Sequence, residues 1–67
     1  MPYVNIKITK GNVTPEHKAA LIERVTLLLV DVLGKSPQTT VVVIDEVDTD
    51  NWGIAGETVT ARRHQRN

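Results

Sequence analysis

Few side chains in this sequence have the types and spacing of an ordinary catalytic set. Cysteine is absent, which excludes a thiolate nucleophile, a disulfide and the thiolate ligands of structural zinc. Ser36 has no nucleophile motif around it, and His17 follows a helix start, where we expect a solvated side chain. Asp45 and Glu46 are adjacent, so on a strand they point to opposite faces and form no acid–base pair. With two histidines, we predict no metal site.

Pro2 is the remaining candidate, because removal of Met1 turns its ring nitrogen into a secondary amine. As an internal residue, a proline has neither an N–H nor a basic nitrogen. Ordinary α-amino groups titrate near pH ~7.7–8.0, and both desolvation and nearby cations lower the pKa of an amine further. A base poised near neutral pH suits proton transfer. The sequence therefore offers Pro2 as a general base, with a plain role in processing or at a strand edge as the alternative.

The elements that would position this amine form a strand–helix–strand unit. Residues 3–10 alternate apolar and polar side chains, which predicts a half-buried strand. Residues 14–33 begin with a capping threonine and a proline, which predicts a helix, and Gly34 follows its last turn. The β-branched run 39–47 predicts a strand that is buried on both faces and paired in parallel with the first.

The C-terminal part of the chain predicts turns and short elements. Residues 48–51 indicate a turn, and the glycine-containing segment 52–57 indicates a tight loop or a short hairpin. Residues 58–60 predict a short edge strand that pairs across subunits. The basic run that follows is interpreted as a solvated, partly frayed tail. It consists of Arg62, Arg63, His64 and Arg66.

Size and the helix pattern together predict an oligomer. At 67 residues the chain is a single domain over 1–67, and so short a chain is marginally stable alone. Residues 27–30 are apolar nearly all round the helix. One sheet face cannot cover such a helix, so we expect a second subunit to cover its outer side.

Composition argues against several other classes of protein. The formal net charge is zero, and Tyr3 and Trp52 are the sole aromatic residues, which does not suit a nucleic-acid-binding surface. No stretch approaches the ~20 apolar residues of a membrane span. The N-terminus lacks the basic leader and apolar region of a signal peptide. We therefore expect a cytoplasmic protein that binds neither membrane nor nucleic acid.

Three segments together resemble the 4-oxalocrotonate tautomerase family. They are Met-Pro-Tyr-Val-Asn-Ile-Lys-Ile at residues 1–8, Asp-Glu-Val at 45–47 and Trp-Gly-Ile-Ala-Gly-Glu at 52–57. The resemblance runs from residue 2 to about residue 59. It implies an α+β subunit with a single β-α-β unit and a short C-terminal hairpin, a tautomerase-like fold. It also implies that subunits pair their sheets into dimers and assemble into a hexamer, a trimer of dimers of one chain type or two.

The same resemblance implies an isomerase that needs no metal or organic cofactor. Its substrates would be small 2-hydroxydienoate or enolpyruvate-type acids, whose proton moves between oxygen and carbon. Pro2 matches the catalytic proline of the family and would be the general base. Trp52 falls on the position of an active-site aromatic residue and would shape an apolar pocket; plain packing at an interface is the alternative for this side chain.

The two arginines with which family members bind substrate carboxylates are absent. One aligns with Asn12, or with Val13 if the loop has a one-residue insertion, and the other aligns with Val41. Asn12 could donate one neutral hydrogen bond or simply form the turn.

A cation for the substrate must therefore come from elsewhere in the sequence. Lys10, Arg62 or Arg63 could supply it from the same or a neighbouring subunit, although Lys10 could also be an ordinary solvated lysine at a strand end. Loss of both arginines favours a monoacid such as an arylpyruvate enol.

Two other functions remain open from the sequence. One is a non-catalytic, oligomeric ligand-binding relative, which the missing arginines favour. The other is a hydratase or dehalogenase that acts on haloacrylates. That chemistry needs a water-activating carboxylate near Pro2 and arginines for the acid, and neither is evident in the sequence.

Overall fold

The computed structural model describes residues 1–65, with side chains as far as His64, so Arg66 of the basic run lies outside the described residues. The strands and α-helices, in chain order, are β1 (Tyr3–Thr9), α1 (Pro15–Leu33), β2 (Val41–Val47), β3 (Gly53–Ile54), β4 (Glu57–Thr58) and α2 (Val59–Gln65). Short 3₁₀ turns precede β2 and β3, at Pro37–Thr39 and Thr49–Asn51. This order confirms the predicted α+β architecture of one β-α-β unit with a short C-terminal hairpin.

Strands β1 and β2 form a parallel ladder in which Tyr3 lies opposite Val41 and Thr9 lies opposite Val47. Half-buried and exposed residues alternate along most of β1, as its sequence pattern predicts. Helix α1 connects the two strands and packs against β2. Among the described residues no second helix packs closely against this sheet, so burial of β2 on both faces stays a prediction about an assembly.

The predicted start of β2 at residue 39 is wrong by two residues. Pro37–Thr39 is a 3₁₀ turn, in which the Ser36 hydroxyl accepts a hydrogen bond from the Gln38 amide at 3.2 Å. The Thr40 hydroxyl then donates to the Ser36 carbonyl at 2.8 Å. These local side-chain bonds compete with strand pairing and hold the chain in a turn until Val41.

Both ends of α1 lie close to where the sequence predicts them. The Thr14 hydroxyl accepts from the His17 amide at 3.1 Å, and the His17 Nδ1 atom accepts from the Thr14 amide at 3.2 Å. This is a capping box in which histidine replaces the usual glutamate or glutamine. At the other end, Gly34 takes a left-handed conformation with φ 63°, and its amide donates to the Val30 carbonyl at 3.0 Å.

Strands β3 and β4 form the predicted hairpin around the two residues Ala55 and Gly56. Both have positive φ angles, 53° and 84°, as a two-residue hairpin turn with right-handed strand twist requires. Glycine adopts this conformation without strain, whereas alanine does so rarely.

The predicted edge strand over residues 58–60 holds at Thr58, which ends β4, and is wrong for residues 59 and 60, because α2 begins at Val59. The Thr58 hydroxyl accepts from the Ala61 amide at 3.0 Å, which satisfies a free donor in the first helical turn. Val59 donates its amide to the Trp52 carbonyl at 2.8 Å and is 8% exposed, the one buried apolar side chain among the described residues. Within the described residues, Arg62, Arg63 and His64 therefore lie in a helix that continues to Gln65 and not in a frayed tail.

The chain is elongated. Its Cα radius of gyration is 15.5 Å, whereas a compact chain of this length has about 11 Å. Residues 52–65, here named the C-terminal arm, contact mainly one another and the turn at Thr49–Asn51. On α1, the side chains of Leu27, Leu28 and Val32 are 56–66% exposed. So much uncovered apolar surface is typical of an interface.

None of the helices in the described part of the chain has both the length and the hydropathy of a membrane-spanning segment.

Candidate active site

Pro2 lies at the amino-terminal end of β1, beside the start of β2. Its carbonyl accepts a hydrogen bond from the Val41 amide at 3.0 Å, which extends the parallel ladder by one residue. The ring is half-buried, whereas Met1 in front of it is 93% exposed. Because the ladder uses only the Pro2 carbonyl, loss of Met1 removes no bond of the sheet and leaves the ring nitrogen at its end.

The residues that flank Pro2 on the two strands are uncharged. Tyr3 and Val41 lie opposite each other and are 64% and 45% exposed. Thr40 keeps its hydroxyl on the Ser36 carbonyl. The flanking residues of the two strands therefore place no charge beside the ring nitrogen.

Lys10 and Asn12 lie beyond the opposite end of β1. Lys10 follows Pro2 by eight positions along the extended strand, which spans about 26 Å at ~3.3 Å per residue. The Lys10 ammonium is 3.9 Å from the Asp48 carboxylate, and both side chains are largely exposed. Asn12 is exposed in the loop that follows. A single chain thus does not bring these two sequence-predicted residues to Pro2.

An open cavity of about 550 Å³ lies at this carboxyl-terminal end of the sheet, between lysine and carboxylate side chains. The Asp45 carboxylate there accepts hydrogen bonds from the side-chain amide of Asn5 at 2.9 Å and from the Lys7 ammonium at 3.0 Å. The Asn5 bond, followed by the Lys7 bond and charge, holds the pKa of the Asp45 carboxyl below its ordinary value. Charges at this end are therefore largely paired with one another.

Trp52 and Arg62 lie in the C-terminal arm. Trp52 is half-buried, and its backbone carbonyl is tied to α2 through the Val59 amide. A guanidinium nitrogen of Arg62 is 3.7 Å from the Glu57 carboxylate, a spacing that leaves a partly exposed, loosely held ion pair. A small cavity of about 180 Å³ lies beside Arg62 and Arg63.

The sequence-predicted residues therefore occupy three places in one chain. Pro2 is at one end of the sheet, Lys10 and Asn12 are beyond the other end, and Trp52 and Arg62 are in the arm. Among residues 1–65, no group of three or more histidine and carboxylate side chains lies together as a metal ion needs. The candidate base, the candidate aromatic residue and the candidate cations are thus not brought together within one subunit.

Residues 2–62 match the family model of the tautomerase enzymes. The chain belongs to the tautomerase family. It is 69% identical over 65 residues to the probable tautomerase K2 of Dickeya dadantii, with 97% of each chain covered. It is 39% identical over 57 residues to the 2-hydroxymuconate tautomerase of Bacillus subtilis, with 85% of this chain and 90% of the relative covered.

Solved structures of the family have the same fold. DmpI from Helicobacter pylori superposes with a TM-score of 0.86 at 46% identity, over 94% of this chain and 97% of that one. TomN, a 4-oxalocrotonate tautomerase homologue of the tomaymycin biosynthetic pathway, superposes with a TM-score of 0.91 at 26% identity, over 98% and 100% of the two chains. The resemblance drawn from the sequence is confirmed, as is its enzyme class, since members of this family are isomerases.

Proposed function

We propose that the chain is a tautomerase that converts enols of 2-hydroxydienoate or enolpyruvate-type acids to their 2-oxo forms, with the Pro2 amine as general base. The observation that carries this proposal is the position of Pro2 within a tautomerase subunit. It stands at a strand end, flanked by uncharged residues, behind a methionine that is 93% exposed. A single domain over residues 1–67 would hold this base.

The proposed reaction is a proton transfer in two steps. The neutral Pro2 amine takes the proton from the enol hydroxyl. The oxygen lone pair then forms the carbonyl while the carbon–carbon double bond of the substrate shifts. The resulting ammonium then returns the proton to carbon, which regenerates the base. Protons and electrons balance without a metal or organic cofactor. Trp52 would cover the substrate with an apolar surface, which favours the neutral amine.

The proposed active unit is a homo-oligomer, built as a hexamer from three dimers. Three features of the single chain support association: the exposed apolar side of α1, the extended arm, and the separation of Pro2 from Lys10. If the free edges of two β1 strands pair in antiparallel fashion, the carboxyl-terminal end of one strand lies beside the amino-terminal end of the other. The partner subunit's Lys10 and Asn12 would then stand near Pro2.

The proposed substrate is a monoacid such as an arylpyruvate enol. Val41 and Asn12, which align with the arginines of other members, carry no charge, so a second carboxylate has no fixed cation to bind. Lys10 is a suitable source of one positive charge, because its ion pair with Asp48 is long and exposed and thus weak. Arg62 is a second source, since it is held loosely by Glu57 at 3.7 Å.

The test is ketonisation of phenylenolpyruvate and of 2-hydroxymuconate, followed by absorbance, on protein whose mass confirms the loss of Met1. We expect turnover of both, faster for the monoacid, and loss of at least about a hundredfold in Pro2→Ala, the range typical of a missing general base. Size-exclusion chromatography should give the same oligomer for both proteins, because the Pro2 carbonyl that pairs with Val41 is kept in the variant.

The other outcomes point to specific alternatives. Equal rates for the wild type and Pro2→Ala contradict a proline base. No rate above buffer from a processed oligomer supports the non-catalytic ligand-binding relative. Halide release from a chloroacrylate would support the hydratase or dehalogenase.

A further inference from the structure

Tyr3 places a free hydrogen-bond donor next to Pro2. It is the first residue of β1, directly follows the proposed base, and lies opposite Val41 in the parallel register. Its side chain stands on the face of the sheet that α1 leaves uncovered and is 64% exposed. Its hydroxyl makes no hydrogen bond to any of the described residues.

The hydroxyls of the two threonines that precede Val41 are already engaged. The hydroxyl of Thr40 donates to the Ser36 carbonyl at 2.8 Å, and the hydroxyl of Thr39 reaches the same carbonyl at 3.5 Å. Val41 has no polar side-chain atom. Within the described residues that flank Pro2 on the two strands, Tyr3 is therefore the donor that a substrate can use.

We propose that the Tyr3 hydroxyl donates a hydrogen bond to the substrate carboxylate that neighbours the enol, the one carboxylate of a monoacid; this rests on the proposed function. In an enolpyruvate-type acid the carboxylate is attached to the carbon that bears the enol oxygen. Side chains of adjacent strand residues point to opposite faces, but the proposed base is the main-chain nitrogen at the strand end, so a substrate on the uncovered face can contact both the amine and the Tyr3 hydroxyl. A hydrogen bond to a charged acceptor is about twice as strong as a neutral one, so a phenol can hold one carboxylate beside the positive charge that Lys10 would supply.

The first test compares the wild type with Tyr3→Phe, which removes only the hydroxyl. The substrates are phenylenolpyruvate and its methyl ester, which lacks the negative charge. We expect kcat/KM for the acid to fall about ten- to a hundredfold, mainly through KM, and kcat/KM for the ester to change about threefold or less. A purely structural role for Tyr3 would lower both by the same factor, and that result would overturn the proposal.

Gln38→Ala is the matched control. Gln38 is exposed in the 3₁₀ turn before β2, and its side chain makes no hydrogen bond with the described residues. Removal of this polar group from the same end of the sheet should leave kcat/KM for both substrates unchanged. An equal loss in Gln38→Ala and Tyr3→Phe would show a general sensitivity of this end of the sheet and contradict a specific contact from Tyr3.

A double-mutant cycle with Val41→Arg gives a second readout. Because Val41 lies opposite Tyr3, an arginine there adds a cation beside the phenol. We expect Val41→Arg to raise kcat/KM for the acid. In that background, the fold loss in kcat/KM caused by Tyr3→Phe should be at least about three times smaller than in the wild type. If Tyr3→Phe lowers kcat/KM by the same factor with and without Val41→Arg, the two positions do not serve the same carboxylate.

These outcomes separate the two proposals. An active wild type whose acid and ester rates are both unaffected by Tyr3→Phe would overturn the role of Tyr3 and leave the proline mechanism intact. Activity that survives Pro2→Ala would overturn the proposed function itself, whatever the behaviour of Tyr3→Phe.

Discussion

The two ends of the β1–β2 sheet differ in their chemistry. At the amino-terminal end, Pro2 is flanked by uncharged residues on both strands. At the carboxyl-terminal end, Lys7 and Lys10 lie among carboxylates that pair with them, at 3.0 Å for Asp45 and 3.9 Å for Asp48. The first end suits a neutral amine, and the second holds positive charge without a candidate base. In the proposed oligomer, antiparallel pairing combines the two, and each of the following experiments alters one end.

The largest effect is expected at the amino-terminal end, from retention of Met1. A chain that keeps Met1 has an amide nitrogen at Pro2, which cannot accept a proton. We expect at least about a hundredfold loss of ketonisation, while the bond between the Pro2 carbonyl and the Val41 amide persists. Rates should track the processed fraction measured by mass spectrometry. A full rate from an unprocessed chain would remove Pro2 from the mechanism.

At the charged end, Lys10→Ala should lower kcat/KM for the monoacid about three- to tenfold. In the proposed oligomer this charge would act from the partner subunit on the substrate carboxylate, so the difference from the wild type should shrink as salt is added. Lys35→Ala is the matched control, because Lys35 is an exposed lysine beyond the end of α1. Similar losses in the two variants, or none in Lys10→Ala, would show that Lys10 plays no part at the site.

Replacement of His17 should change stability and leave activity alone. His17→Ala removes the side-chain acceptor from the capping box, which costs about 1 kcal/mol of unfolding free energy in a urea titration. His17→Gln should retain most of the wild-type unfolding free energy, because glutamine is an ordinary capping-box residue. A large fall in kcat/KM of the folded His17→Gln oligomer would instead make this histidine part of the site.

The smallest effect concerns Asp45 and is a dependence on pH. Its carboxyl has a folded-state pKa below the ordinary value of 3.8, because Asn5 and Lys7 favour the charged form. The charged Asp45 carboxylate therefore stabilises the folded state. This contribution is fully present above pH 3.8 and is lost as pH falls through the lowered folded pKa. Asp45→Asn should be slightly less stable than the wild type near neutral pH, with the difference shrinking in acid. A difference that grows in acid would contradict the assigned bonds.

Periodicity and capping predict the β-α-β unit well, because its signals are local. Alternation along β1, the Thr14 cap and the left-handed Gly34 all depend on residues close in sequence. The errors lie where a side chain redirects the backbone. Ser36 holds a turn where β-branched residues suggest a strand, and Thr58 starts a helix in another such run. Periodicity does not report such side-chain bonds.

The candidate site was only partly predictable. Pro2 and Trp52 are predicted from residue type and family resemblance, whereas Tyr3 receives no role from the sequence because its pairing with Val41 appears only in the register of the sheet. The distance between Pro2 and Lys10 likewise follows from strand length, and one chain's sequence does not say which copy supplies a cation. A histidine in the capping box was also missed, since the motif is recognised by glutamate or glutamine at that position.

The most direct test of the central proposal is a titration of the Pro2 nitrogen by NMR, in processed protein labelled with ¹⁵N-proline. It is compared with the pH profile of kcat/KM for phenylenolpyruvate, which reports the free enzyme's essential base. We predict that the nitrogen titrates and that its pKa coincides with the one that governs the ascending limb of the profile. A nitrogen that does not titrate, or a pH profile that follows a different group, would contradict Pro2 as the base.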